Sequence, residues 1–242
     1  MAEFHLEIAG HVAAVTSLFE STPHHFAKYL TDRDADFFIT VRPEDLRFEQ
    51  ADADAEAAEE GFRQRNFPDP FLERAAIHRK FAEHLLTRRI FPVHGSTVAV
   101  DGRGYLFTAP SGTGKSTHTR LWMQQFGNRA MMVNDDRPFL EMTGSGVLAH
   151  GCPWSGKHGL DTNISVPLAG ICLLARGSVN EIRRAAPEEL SDLLKGYRPK
   201  MESDESQYQQ LLQELTETVP LWHMYCTKDP AAAQVAFDAM SE

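Results

Sequence analysis

Hydrophobic and polar positions change period several times along the chain, and each change marks an element. Residues 4–19 (FHLEIAGHVAAVTSLF) are rich in β-formers, alternate in part and are interrupted by Gly10, which predicts strands. Phe37–Val41 predicts another short strand, ended by Pro43, and His24–Leu30 between them predicts one or two helical turns. Glu49–Arg65 is rich in Ala, Glu and Asp, the pattern of an exposed helix or a loop with a solvated acidic face. Phe67-Pro68-Asp69-Pro70 is a turn cluster. A helix is expected over 71–89. Ile77, Phe81 and Leu85 recur at i, i+4 and i+8, Ala82 and Leu86 widen the stripe, and Arg88 and Arg89 suit its C-terminal end.

Beyond this helix the pattern becomes denser. Ser96–Val100 and Tyr105–Thr108 predict strands around a turn at Gly102–Gly104. Ala109–Ser116 is a glycine-rich loop and Thr117–Phe126 a helix. Ala130–Val133 is a third strand, stopped by Asn134-Asp135-Asp136. Strands near 137–150, a loop at 151–163 and a strand at Gly170–Leu174 follow. Pro187–Leu194 and Glu205–Thr218 read as helices, Leu221–Cys226 as a late strand and Pro230–Met240 as a final Ala-rich helix. Alternating strands and helices predict an α/β fold. The turn cluster divides the chain into a β-rich region, 1–70, either separate from or continuous with the core sheet, and a core over 71–242. No internal repeat is visible.

Composition narrows the class. A chain of 242 residues accommodates one large domain or two small ones. Its 42% hydrophobic and 24% charged residues are those of a soluble globular protein. Three cysteines (Cys152, Cys172, Cys226) make no disulfide framework and fit reduced thiols. The opening residues lack the basic and apolar regions of a signal peptide. The longest nearly apolar run, Ile164–Ala175, is 12 residues broken by Pro167 and Gly170, too short for a membrane span. A cytoplasmic location without membrane partners is the expectation. The net charge of −10 opposes a nucleic-acid partner. Six acids of that balance lie in Glu49–Glu60, so the acidity is partly local.

The candidate chemistry lies between the strands. Ala109-Pro110-Ser111-Gly112-Thr113-Gly114-Lys115-Ser116 fits the phosphate-loop pattern G-x-x-x-x-G-K-[ST] at all but the first position, where Ala stands for Gly. Gly112 and Gly114 allow the backbone to wrap with its N–H groups inward, and the following helix, opened by Thr117, adds its positive end. Lys115 is then placed for the β- and γ-phosphates, and Ser116 offers a hydroxyl to Mg²⁺. ATP and magnesium are the implied cofactors. Asp135 and Asp136 end an apolar strand 20 residues after Lys115. One such carboxylate can hold a metal and the other accept a hydroxyl proton. His94, in Phe91-Pro-Val-His-Gly-Ser96, and Lys157, in Cys152-Pro-Trp-Ser-Gly-Lys-His158, are further candidates, with Asn163 and Arg176 behind them. His and Cys spacings match no zinc signature.

Val93-His94-Gly95, two strands, Ser-Gly-Thr-Gly-Lys-Ser, a helix and a strand ending in Asp-Asp together resemble the catalytic domain of bacterial HPr kinase/phosphorylase. That fold is shared with ATP-dependent phosphoenolpyruvate carboxykinase. The resemblance covers roughly 90–180. It implies a sheet-rich P-loop kinase core with flanking helices. It makes His94 an active-site residue, Asp136 the proton acceptor and Asp135 a neighbour of the metal. The family's Glu-x-Arg-Gly stretch is missing here. Val147-Leu148-Ala149-His150-Gly151 stands in its place, so HPr itself is not the expected acceptor.

The expected activity is ATP- and Mg²⁺-dependent transfer of the γ-phosphoryl group to a hydroxyl of a small molecule. Asp136 is the expected base, and Lys115, His94 and Lys157 assist it. A protein or peptide serine kinase and a non-catalytic ATP-dependent regulatory protein are the alternatives. A carboxykinase-type lyase would need arginine clamps for which the chain is too short. A homo-oligomer is left open.

Overall fold

The computed structural model describes residues 1–59, 61, 63–156, 158–197 and 199–241. The chain forms two compact units, Met1–Leu85 and Leu86–Glu242. In the first, β1 (Ala2–Ile8) and β2 (His11–Ser17) are an antiparallel hairpin turned at Ala9-Gly10, where both residues take positive φ. The short helix α1 (Thr22–His25) follows, and β3 (Phe37–Thr40) lies parallel to β2. These strands form a three-stranded sheet of their own.

Two helices complete this unit: α2 (Pro43–Glu59) and α3 (Asp69–Leu86). α2 starts at Pro43, where the fixed φ suits a helix's first position. The acidic stretch is therefore helical, but its face is not wholly solvated. Asp45 and Glu49 are buried against Arg79 of α3, whose Nε donates to Glu49 Oε1 at 2.7 Å. Phe81 of α3 meets the Phe37 ring edge-on at 5.1 Å, so the predicted stripe of α3 covers the small sheet.

The second unit is built on nine strands. β4 (Ile90–Pro92), β5 (Ser96–Val100), β6 (Arg103–Thr108), helix α4 (Lys115–Phe126) and β7 (Ala130–Asn134) come first. β8 (Phe139–Thr143), β9 (Gly146–His150), β10 (Ser165–Arg176) and β11 (Glu181–Arg184) follow, then α5 (Glu202–Thr218), β12 (Leu221–Cys226) and α6 (Ala231–Met240). The order is β4-β8-β9-β10-β6-β5-β7, with β12 beside β10 and β11 beside β12. β10 is longer than Gly170–Leu174. Its first residues pair antiparallel with β9, and after a register shift between Leu168 and Gly170 it runs parallel to β6 and β12. Pro187–Leu194, read as helical, forms two short 3₁₀ turns.

Two buried clusters hold the unit. One packs α5 residues Tyr208, Leu211 and Leu215 with Phe91, Leu106 and Ile171. The other packs α4 and α6, through Trp122, Phe126 and Ala236, with Phe107 and Met224. No helix among the described residues is long and apolar enough to cross a membrane.

Candidate active site

Strand direction assembles the site. β6, β10 and β12 are mutually parallel, and β7 runs antiparallel to β5, which runs antiparallel to β6. The C-terminal ends of β7, β6, β10 and β12 and the start of β5 therefore share one sheet edge. In an open α/β sheet that edge is where ligands bind. It carries the Asp pair after β7, His94-Gly95 before β5, the glycine-rich loop after β6 and Arg176 at the end of β10.

The loop holds its wrapped shape through Gly112 and Gly114, at φ +75° and +128°. An L side chain is strained in both conformations. α4 begins at Lys115, two residues earlier than expected, on Gly114. No side chain caps its first turn and no acid lies within it, which leaves the amide end open to an anion. Lys115 Nζ donates to the Ala109 carbonyl at 2.9 Å. Ala109 itself is fully buried at the strand exit, which accounts for a small residue there. Ser116 is half-buried, and Thr117 is exposed on the first turn. Arg176 Nη2 donates to the Gly112 carbonyl at 2.7 Å and its Nε to that of Thr113 at 3.4 Å, so the end of β10 braces the loop.

The Asp pair is shaped by its neighbour Asn134. Asn134 Oδ1 accepts the N–H groups of Asp136 (2.9 Å) and Arg137 (2.7 Å), an Asx turn that bends the chain just past β7. Its Nδ2 donates to the Cys152 carbonyl at 2.8 Å and ties the 151–163 loop beneath the turn. Asp135 is 3% exposed. One of its oxygens accepts the Gly156 N–H at 2.6 Å, and the other is buried without a hydrogen-bond partner. Burial raises the Asp135 pKa above the usual carboxylate value. Gly151 must be glycine: a Cβ there would lie 1.8 Å from the Thr162 carbonyl oxygen.

His94 meets Asp136 at the same edge. Its Nε2 is 4.0 Å from Asp136 Oδ1, and Arg137 Nε lies 3.8 Å from the other oxygen. One backbone and one side-chain hydrogen bond fix this meeting: Gly95 N–H donates to the Asp136 carbonyl at 2.9 Å, and Thr108 Oγ1 to that of His94 at 3.0 Å. Gly95 has no room for a side chain, since a Cβ would sit 2.8 Å from Leu106 Cδ2. Burial pushes the His94 pKa down to about 4, the Lys115 and Arg137 cations push the same way, and Asp136 opposes them. The imidazole is therefore neutral at pH 7.

Loop, Asp pair and His94 thus share one edge. Lys157 lies outside the described residues, and Asn163 is exposed on its loop. Arg137 and Gly156 carry no signal of their own in the sequence, and Gly95 and Asn134 stand there only within the Val93-His94-Gly95 and Asn134-Asp135-Asp136 runs. Only Asn134, a turn-former directly before two acids, carried a readable signal there.

No family model matches the chain, and no curated protein does. Among solved structures, the Hpr(Ser) kinase/phosphatase from Coxiella burnetii is similar at a TM-score of 0.37 and 12% identity, over 61% of this chain and 95% of that one. At that distance the chemistry rests on the residues themselves.

Proposed function

We propose that this protein is an ATP- and Mg²⁺-dependent phosphotransferase that moves the γ-phosphoryl group to a small-molecule hydroxyl, on a P-loop kinase core. The observation that carries the reading is the uncapped amide end of α4, with its wrapped loop and Lys115, on the same sheet edge as Asp136 and His94. An anion site and a proton acceptor at one edge are the two halves of phosphoryl transfer to an alcohol.

In this reading the loop amides, from Ser111 to Ser116, and Lys115 cradle the triphosphate. Lys115 exchanges the Ala109 carbonyl for a phosphate oxygen, a stronger charge-assisted bond. The partnerless buried oxygen of Asp135 and the Ser116 hydroxyl are hard oxygen donors, a set that suits magnesium. A magnesium ion held there would neutralise charge on the phosphate oxygens. Asp136, about a third exposed, takes the acceptor hydroxyl's proton. Neutral His94 orients that hydroxyl. Arg137, with its Nε 3.8 Å from Asp136 Oδ2, places a cation beside the base.

The test is transfer from γ-labelled ATP into a fractionated cell extract by wild type, Lys115→Ala and Asp136→Asn. Wild-type label in a small-molecule fraction is expected, with Lys115→Ala reduced about 10²–10³-fold, the loss of one charge-stabilising donor. Label in a protein band would replace the small acceptor with a protein serine. ATP binding without transfer to either fraction would overturn the enzyme reading and leave a nucleotide-dependent regulator. Full activity in Lys115→Ala would overturn the site.

A further inference from the structure

Away from the edge that carries the loop, three polar side chains meet on the sheet itself. Ser165 opens β10, at the opposite end of that strand from Arg176. It stands directly across from His150 of β9, and His150 in turn stands across from Phe139 of β8. Glu141 lies two positions along β8 from Phe139, so Ser165, His150 and Glu141 share one face of the sheet. The alternate positions Leu140, Ala149 and Val166 are buried with α5 on the other face. His150 Nδ1 is 2.7 Å from Ser165 Oγ, and its Nε2 is 3.1 Å from Glu141 Oε2. His150 is 3% exposed, whereas Ser165 is exposed and Glu141 partly so.

The two bonds assign the hydrogens. A carboxylate only accepts, so the neutral imidazole carries its hydrogen on Nε2 and donates it to Glu141. Nδ1 is then the acceptor, and the Ser165 hydroxyl donates to it.

We infer that Ser165 is a nucleophile with His150 as its general base, a second site that takes an acyl group from an activated ester. A hydroxyl within reach of a base that a third group orients is the arrangement that activates serine. In the acyl step Ser165 Oγ bonds the carbonyl carbon and its proton passes to His150 Nδ1. The ester's carbon–oxygen bond breaks, and the electron pair departs with the leaving oxygen. Glu141 is a positioning residue: it fixes the tautomer and faces the imidazolium that forms. Half-buried Leu148 and exposed Pro167, paired with each other two positions from His150 and Ser165, offer the acyl group an apolar shelf. These three polar side chains supply nucleophile and base but no oxyanion donor. The substrate class is therefore esters whose leaving group is already stabilised, such as aryl esters. The site uses none of the groups proposed for phosphoryl transfer, so either reading can fail without the other.

In the experiment the full chain is incubated with p-nitrophenyl acetate, and acetylation is located and timed by peptide mass spectrometry. Ser165 is expected to be acetylated about 10²–10⁴-fold faster in wild type than in His150→Gln, the usual contribution of a general base. The rate should rise with pH and level off once the imidazole is neutral, whereas an unassisted serine follows hydroxide throughout. Glu141→Gln should slow acetylation by about tenfold or more. It should also lower the pH at which the rate levels off, because a carboxylate beside an imidazole favours its charged form. A purely structural glutamate would leave that pH in place. Glu141→Gln, at a partly exposed position, carries the comparison if His150→Gln does not fold. Acetylation confined to lysines or the N-terminus, or Ser165 labelled at the same rate in wild type and variant, overturns the inference.

Discussion

His118 shows what burial does to one titratable side chain. It lies on the inner side of α4, 2% exposed, and its Nε2 accepts the Trp122 indole N–H at 3.1 Å. Burial pushes its pKa down from 6.5 to about 4. The unfolded chain therefore takes up a proton near pH 6.5 that the folded chain refuses until about pH 4. Stability should fall as pH drops through that window, by about 3 kcal/mol from this residue, and stay level above it. His94 adds a loss of the same sign. Urea unfolding at pH 7 and pH 4.5 checks this: His118→Gln, which keeps an acceptor for Trp122, should lose less stability on acidification than wild type. At this scale the phosphate-loop residues were legible because their spacing is local. The depression of His94 was not, since the burial and the Lys115 and Arg137 charges that cause it come from distant segments.

At the scale of elements, α2 and α3 illustrate the limits of a charge pattern. Arg79 is 4% exposed and bonds Glu49 at 2.7 Å, Glu83 at 3.0 Å and Asp45 at 3.4 Å, with its guanidinium 4.7 Å from the Phe48 ring. An Arg79→Met variant would leave buried Glu49 without its cation, while Asp45 would keep Lys80 at 2.9 Å. It should destabilise the first unit by about 3–5 kcal/mol, read as a lower urea midpoint of its transition. The α3 stripe was readable from its four-residue period, but the burial of Asp45 and Glu49 was not, because it depends on which partner faces α2. The 151–163 loop makes the same point. Gly151→Ala should cost at least about 1–3 kcal/mol through overpacking against Thr162. It should also lower transfer activity, since the loop carries the Gly156 N–H that holds Asp135; melting and labelling measured together would check both.

Across the whole molecule, the groups of the proposed chemistry all lie in the second compact unit, Leu86–Glu242. Ligand binding should therefore be visible as selective stabilisation. MgATP at 100 times its dissociation constant should raise the stability of the unit carrying the loop by about 2.7 kcal/mol. Differential scanning calorimetry should show that transition moving in wild type and staying still in Lys115→Ala. A shift that persists in Lys115→Ala would place the nucleotide elsewhere. The mixed sheet brings the proposed machinery to one edge. Because β7, β6, β10 and β12 share a direction while β5 opposes them, residues from five separate segments reach that edge.

By itself the sequence determined the local grammar of this protein. Loop, the helix that follows it, most strands and the Asp-Asp turn follow from residue types at short spacing, where glycine dihedrals, hydrophobic period and turn chemistry act. It also placed His94, Lys115 and Asp136 among the residues to watch. Tertiary structure alone decided which of these meet. The antiparallel insertion of β5 brings His94 to 4.0 Å from Asp136, a separation of 42 positions along the chain. The register shift in β10 carries Arg176 to the loop. Strand order and direction are set by long-range pairing and by burial of both faces of the sheet, and no short window of sequence contains either.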